Sequence, residues 1–183
     1  MINTPTVASM DSSLEKGKES FIAIYGGIFE HSPWIASTVW DQGIHGGSVQ
    51  ELSAAFGTVI RSANRDHQLA LLRAHPQLAC AIASAQELTA ESRAEQRGAG
   101  LDRCSAEEFE EFSYLNRAYL DRFGFPFIIA VRQLGRGQIL ESFRARLNNG
   151  REEELQEALE QVIRIGNFRL QDVTSGKGSA HGG

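Results

Sequence analysis

One histidine in this sequence is followed by proline, and its position makes it a candidate catalytic residue. His75 precedes Pro76, and the residue before a proline is displaced from helical towards extended geometry. The imidazole is therefore expected at a break between two helical stretches, where it can enter a cleft and exchange a proton near neutral pH. A helix-capping or partly buried histidine with a satisfied hydrogen bond is the alternative, and the spacing alone is compatible with both.

A second group of polar residues follows a helical spacing. Ser92, Glu95 and Gln96 stand at positions i, i+3 and i+4, so a helix places them on one face. A hydroxyl, a carboxylate and an amide on one face could bind a polar heterocycle, whereas the alternative is a solvated helix surface. A hydrolase with Ser92 as nucleophile is a weaker interpretation, because this serine lies inside a helix and not on a nucleophile elbow.

Two further features could contact a ligand. The apolar run 125–131 contains a proline, which argues against a central strand, so we expect a buried extended segment between two helices. Its main-chain groups need hydrogen-bond partners outside a helix, and a flat ligand with amide edges is one such partner; core packing is the alternative. Arg169, near the end of the last helix, could bind a substrate oxygen or simply favour the helix dipole.

The elements that must position these residues are helices. Ser32-Pro33 predicts a helix start, and Ser48 with Glu51 predicts a capping box. Thr89 is a predicted N-cap for the Ser92 helix, and Gly124 is a predicted helix stop. Apolar residues at helical spacing fill the intervening stretches. The sequence predicts an all-α fold, a single compact domain of about seven to eight helices with one buried extended segment.

Length and charge exclude several classes of protein. The chain has 183 residues and a net charge of −5, so we expect no nucleic-acid partner, and no apolar run is long enough for a membrane span. Only two cysteines occur, Cys80 and Cys104, and we interpret both as reduced and the protein as cytoplasmic. The histidines lack the i, i+4 pairing of a helical metal site. We place the domain at 13–173, between flexible tails at 1–12 and 174–183.

Six segments, taken in order, carry a resemblance to a known family. They are Gly27–Trp34 (GIFEHSPW), Ala74–Ala79 (AHPQLA), Leu88–Gln96 (LTAESRAEQ), Gly98–Asp102 (GAGLD), Asn116–Tyr119 (NRAY) and Phe123–Arg132 (FGFPFIIAVR). Each motif is weak alone, but the ordered set closely resembles OHCU decarboxylase, which acts on 2-oxo-4-hydroxy-4-carboxy-5-ureidoimidazoline (OHCU) in urate breakdown. The sequence departs from the family at Gln77, where members usually carry an acidic residue.

The resemblance implies an all-helical homodimer that needs no cofactor and forms (S)-allantoin and carbon dioxide. It implies that His75 is the catalytic histidine and Glu95 its carboxylate partner. The positions it implies for substrate binding are Pro76, Ser92, Gln96, Phe127, Ile128, Ile129, Ala130, Val131 and Arg169. No metal ligand is implied. A non-catalytic helical interaction module associated with purine-catabolic enzymes is the alternative function.

Overall fold

The structure, a computed structural model, describes residues 7–78 and 89–175, with side chains described from residue 15 onwards. Within these ranges the chain forms eight α-helices, one short 3-10 helix and no strand. The α-helices are α1 (Val7–Tyr25), α2 (Trp34–Asp41), α3 (Val49–Ser62), α4 (Arg65–Arg73), α5 (Ala90–Gly98), α6 (Ala106–Phe123), α7 (Arg136–Arg146) and α8 (Arg151–Thr174). The all-α prediction is confirmed.

Most helix ends follow the signals in the sequence. The Ser48 side chain accepts from the backbone N–H of Glu51, whose carboxylate in turn accepts from the Ser48 N–H; this is the predicted capping box. Thr89 caps α5 by accepting from the Ser92 N–H. Gly124 ends α6 with a φ of +79°, a conformation that costs glycine little because it has no Cβ.

The start of α2 differs from the prediction. Pro33 occupies the N-cap position and not the first helical turn, and it provides no side-chain cap. The hydroxyl of Ser32 donates to the Glu30 carbonyl at 2.9 Å and so does not cap the helix. Ser32 thus stabilises the turn that precedes α2.

The described chain divides into two compact units, the first comprising Met1–Ala63 with Gly166–Gly183. In this unit α1 packs on α2, and α2 packs on α3. Aromatic rings fill its core: Phe29 meets Phe56 edge-on, with ring centroids 5.7 Å apart, and a Cβ added to Gly166 would collide with the Phe29 ring. The close approach of this ring to the α8 backbone requires glycine at position 166.

The second unit comprises Asn64–Ile165 and is centred on Tyr119, which is completely buried. The Tyr119 ring meets Phe127 edge-on, and Phe127 stacks on Phe143 with 3.8 Å between ring centroids. The segment 125–131 is buried along its whole length and belongs to no helix. The predicted buried segment between two helices is therefore confirmed.

The state of Cys104 corrects one expectation, because this residue is disulfide-bonded and not reduced. The number and spacing of cysteines in a sequence do not show how far apart they lie in the fold. Cys80 lies outside the described residues, as do residues 1–6 of the first predicted tail and 176–183 of the second. No helix in the described part combines the length and hydropathy that a membrane span needs.

Candidate functional site

His75 lies directly after the end of α4, at the predicted helix break. Its backbone N–H donates to the Leu72 carbonyl at 3.2 Å, and the imidazole is buried. Nδ1 is 2.9 Å from the Leu71 carbonyl oxygen. Because a carbonyl oxygen only accepts hydrogen bonds, Nδ1 must carry the hydrogen. In the neutral imidazole Nε2 is therefore the ring nitrogen without a hydrogen.

Helix α5 presents its polar residues as the sequence predicts. Ser92 and Gln96 are buried, whereas Glu95 is half-buried; a fully solvated helix surface would leave all three exposed. The Gln96 Nε2 group donates to the carbonyl of Gln77 at 3.3 Å. Gln77 is two residues beyond His75, so this hydrogen bond holds the polar face of α5 beside the histidine break.

The extended segment is fixed by side chains from two helices. Arg146 of α7 donates through Nη1 to the Ile128 carbonyl at 2.8 Å, and the Ala130 N–H donates to Oε1 of Gln161 on α8 at 2.9 Å. In extended chain, the main-chain groups of alternate residues point to the same side. Two alternate residues of the segment, Ile128 and Ala130, thus have main-chain groups bound by Arg146 and Gln161.

A buried charged cluster supports this segment. Glu154 has no exposed surface, and its Oε1 accepts from the Tyr119 hydroxyl and from Arg146 Nε, the latter at 2.9 Å. Its Oε2 accepts from Asn149 at 2.7 Å. Burial and the hydrogen bond to Glu154 raise the pKa of Tyr119 well above its usual value, so the phenol stays neutral. Glu154 is the fourth residue of α8, where the helix dipole favours an acidic side chain whether or not it is buried, so its position in the sequence gives no sign of this cluster.

Arg169 has a buried carboxylate partner that the sequence analysis missed. Its Nη2 donates to Oε1 of Glu30 at 3.1 Å, and its Nη1 donates to the Ile28 carbonyl at 3.2 Å. Both charged side chains are more than nine-tenths buried. Glu30 lies in the Gly27–Trp34 motif, which the sequence analysis had noted only as part of the resemblance.

The predicted site residues divide between the two units. His75, Pro76, the α5 residues and the extended segment 127–131 all belong to the second unit, whereas Arg169 belongs to the first. The hydrogen bond from Gln96 to Gln77 directly joins α5 to the chain that follows His75. No group of three or more His, Cys, Asp or Glu side chains in the described ranges could hold a metal ion. The second unit thus offers a titratable imidazole beside amide and carboxylate groups.

The sequence matches a model of a known protein family. The model for OHCU decarboxylase matches residues 15–171. The chain is 39% identical over 157 residues to 2-oxo-4-hydroxy-4-carboxy-5-ureidoimidazoline decarboxylase of Halalkalicoccus jeotgali, covering 86% of each chain. It is 37% identical to the mouse protein of the same name, covering 84% of this chain and 85% of the mouse chain.

Longer relatives and solved structures also match. The uric acid degradation bifunctional protein PucL of Bacillus subtilis is 36% identical, over 93% of this chain and 33% of its own length. The crystal structure of (S)-allantoin synthase superimposes with a TM-score of 0.69 and 31% identity, covering 89% of this chain and about half, 53%, of that chain. A structure titled OHCU decarboxylase in the presence of (S)-allantoin gives a TM-score of 0.61 at 24% identity, over 77% of this chain and 90% of that one, and supports the fold.

Proposed function

The chain belongs to the OHCU decarboxylase family, and we propose that it converts OHCU to (S)-allantoin and carbon dioxide by protonating one face of the substrate. The enzyme is a carbon–carbon lyase, a carboxy-lyase of urate degradation. The hydrogen bond from Gln96 to the Gln77 carbonyl carries the assignment of the site. This bond supports the assignment, because it joins Gln96 of α5 to the chain two residues beyond His75.

The substrate itself supplies the electron sink for this reaction. Its C4 carries a hydroxyl and the departing carboxylate, and the neighbouring C5=N bond accepts the electron pair released when the C4–carboxylate bond breaks. Carbon dioxide leaves, a C4=C5 enol forms, and the nitrogen of the former C5=N bond takes up a proton. The C4 hydroxyl then loses its proton to become the carbonyl, and C5 takes up a proton. Because the substrate accepts the electrons, the proposed reaction needs no cofactor.

His75 is the proposed proton donor, and Glu95 is its proposed partner at the C4 hydroxyl or the leaving carboxylate. The Nδ1–H donation to Leu71 fixes the imidazole ring and leaves Nε2 to carry the transferred proton. General acid–base catalysis supplies a rate factor of roughly 10²–10⁴. Orientation of the substrate and stabilisation of the developing charge supply the remainder.

The remaining groups are proposed to hold the ureido and ring amide edges. Ser92 and Gln96 are buried polar groups on the α5 face, and Pro76 lies directly beside His75. In the segment 127–131, Ile128 and Ala130 already bond to Arg146 and Gln161. The substrate contacts are therefore assigned to the main chain of Phe127 and Ile129 and to the N–H of Val131. The Val131 carbonyl already accepts from the Leu134 N–H at 2.9 Å.

Arg169 is proposed as the arginine that binds a substrate oxygen. A guanidinium carries five N–H donors, so its contacts with Glu30 and Ile28 are compatible with a further contact to a ligand. Glu30 is assigned the role of holding this arginine in place. The proposal rests on the match of Arg169 to the family position and on its burial.

We also propose a homodimer that acts on a small molecule and binds neither nucleic acid nor membrane. We propose a cytoplasmic location because relatives are enzymes of urate degradation, and not from the state of Cys104. Phe109 and Leu120 support self-association, because both are large apolar residues with substantial exposure on α6. They are eleven residues apart, which places them on the same side of the helix. The chain has a net charge of −5, so it is unsuited to bind nucleic acid, which is also negatively charged.

The test is turnover combined with the chirality of the product. OHCU is generated in situ by oxidation of urate and hydrolysis of the first product, and the formation of allantoin is followed by circular dichroism. We expect consumption of OHCU faster than in buffer and a single enantiomer of allantoin, whereas uncatalysed decay gives a racemate. Racemic allantoin formed at the uncatalysed rate would refute the proposed function.

A further inference from the structure

Asn116 of α6 has a polar atom that the fold itself does not satisfy. Its side chain is only 9% exposed, and its Nδ2 donates to the Leu78 carbonyl at 2.7 Å. Oδ1 of the same amide is buried and has no hydrogen-bond partner, the one such side-chain atom in the described part of the chain. Buried polar groups in folded proteins are nearly always paired, so this acceptor calls for an explanation.

The hydrogen bond to Leu78 fixes the position and orientation of this acceptor. A carbonyl oxygen cannot donate, so the group facing Leu78 must be the NH₂ and the unpaired atom must be the oxygen. The two polar atoms of one amide are about 2.3 Å apart, so Oδ1 lies within about 5 Å of the Leu78 oxygen. Leu78 is three residues beyond His75.

Two side-chain amides thus hold the same short stretch of chain. Gln96 from α5 donates to the Gln77 carbonyl, and Asn116 from α6 donates to the carbonyl of the next residue. Gln96 belongs to the proposed substrate-binding set, whereas Asn116 was noted in the sequence only as part of a motif. An amide that only anchored the backbone would need its NH₂ alone, and its oxygen would carry an unrecovered desolvation cost.

We propose that Oδ1 of Asn116 accepts a hydrogen bond from an N–H of the bound substrate, so that Asn116 is a further substrate-binding residue. The inference rests on the proposed function, because the imidazoline ring and ureido group of OHCU present N–H donors and the product allantoin retains them. The unpaired acceptor is then satisfied only in the complex. Asn116 contributes to affinity and orientation and transfers no proton.

The experiment compares two replacements of Asn116 in the full chain. Asn116→Leu removes both amide groups at similar volume, and Asn116→Asp removes the NH₂ but keeps an oxygen acceptor. The probe is (S)-allantoin, which is neutral and so is not repelled by the new carboxylate. Its binding is measured by calorimetry, and KM and kcat for OHCU are measured in parallel. Asn148→Leu is the matched control, because Asn148 donates to the Arg144 carbonyl in the same way but is exposed.

We expect Asn116→Leu to weaken allantoin binding about tenfold and to raise KM more than it lowers kcat. Asn116→Asp should bind allantoin more tightly than Asn116→Leu, and Asn148→Leu should match the wild type. Unchanged allantoin binding by Asn116→Leu, or equal losses of binding in both Asn116 variants, would overturn the inference. The proposed function would still stand in that case if the wild-type enzyme turns over OHCU. A wild type that neither turns over OHCU nor binds allantoin would overturn both.

A crystal structure of the wild type with (S)-allantoin decides the question if both variants fail to fold. We expect a ligand nitrogen within about 3.2 Å of Oδ1. Allantoin bound elsewhere, or a water molecule in place of a ligand nitrogen at this oxygen, would overturn the inference.

Discussion

Glu30 and Arg169 form an ion pair between two side chains that are only 2% and 7% exposed. The Nη2–Oε1 distance is 3.1 Å. Lys18 and Asp41 form a shorter pair of 2.7 Å, but both side chains are substantially solvated. Burial and not distance determines how much stability is lost when one partner is removed, because removal from a buried pair leaves a charge that water cannot reach.

The first prediction follows from this contrast. Glu30→Gln should lower the free energy of unfolding by about 3 kcal/mol, measured by urea denaturation. Asp41→Asn, the control, should change it by less than about 1 kcal/mol. Equal losses in the two variants would show that the buried charge of Arg169 is neutralised by something other than Glu30.

His75→Ala should lower kcat by roughly 10²–10⁴-fold, because it removes the proposed proton donor. Far-ultraviolet circular dichroism should remain that of a helical protein. His67→Ala is the matched control, since His67 is an exposed histidine on α4 in the same unit. An unchanged rate in His75→Ala, measured by product chirality and OHCU consumption, would remove His75 from the mechanism.

The N-cap of α5 links helix stability to activity. Thr89→Ala removes the acceptor for the Ser92 N–H and should cost about 1 kcal/mol of stability. It should also lower kcat/KM for OHCU, because α5 carries Ser92, Glu95 and Gln96. Ser48→Ala, the control, removes the corresponding cap of α3, so it should lower stability by a similar amount with little effect on kcat/KM. Comparable losses of kcat/KM in the two variants would contradict the placement of α5 at the site.

Tyr119 should make the free energy of unfolding depend on pH in the alkaline range. Burial raises its pKa, so the folded protein keeps the phenol proton at pH values where the unfolded chain, with a tyrosine pKa of about 10, loses it. This contribution is complete below about pH 10 and decreases above it by up to about 1.4 kcal/mol per pH unit. The stability difference between wild type and Tyr119→Phe should therefore shrink above about pH 10.

Tyr114→Phe is the control for this pH dependence, because Tyr114 is 70% exposed. Tyr114→Phe removes a phenol that water already reaches, so it shows what the loss of a tyrosine hydroxyl does without burial. Denaturant unfolding at several pH values measures both differences. A parallel decline in both variants would contradict the assignment of the effect to Tyr119.

Two glycines within helices should respond to alanine with opposite signs. Gly166→Ala places a methyl group against the Phe29 ring and should destabilise the protein by about 1–3 kcal/mol. Gly137 lies within α7 with no atom near a new Cβ, so Gly137→Ala should stabilise it by about 0.5–1 kcal/mol. Thermal unfolding of both variants checks the signs, and stabilisation by Gly166→Ala would contradict the close ring contact.

Local signals in the sequence predicted much of the fold. Helix ends of this kind depend only on residues within a few positions of each other, so the local sequence is enough to predict them. Examples are the capping box of Ser48 with Glu51, the Thr89 cap and the Gly124 stop. The same holds for the placement of His75 at a helix break. Ile24 shows the limit of periodicity, since it stands three residues after the buried Phe21 in α1 yet is largely exposed.

Partners distant in sequence could not be predicted. Glu30 meets Arg169 across 139 positions, and Asn116 meets Leu78 across 38. Such pairs depend on how helices pack, and a single sequence carries no record of that packing. Glu154 illustrates the difficulty, because the general preference for acids at a helix N-terminus concealed its complete burial beside Arg146.

The anchoring of Ile128 and Ala130 by Arg146 and Gln161 has a consequence for protein engineering. The substrate-binding element proposed for 127–131 consists of main-chain groups, which stay the same whichever side chains the segment carries. Substitutions within 127–131 would therefore chiefly disturb the core. Redesign of ligand preference should therefore begin with the two anchoring side chains on α7 and α8, whose lengths set where the backbone rests.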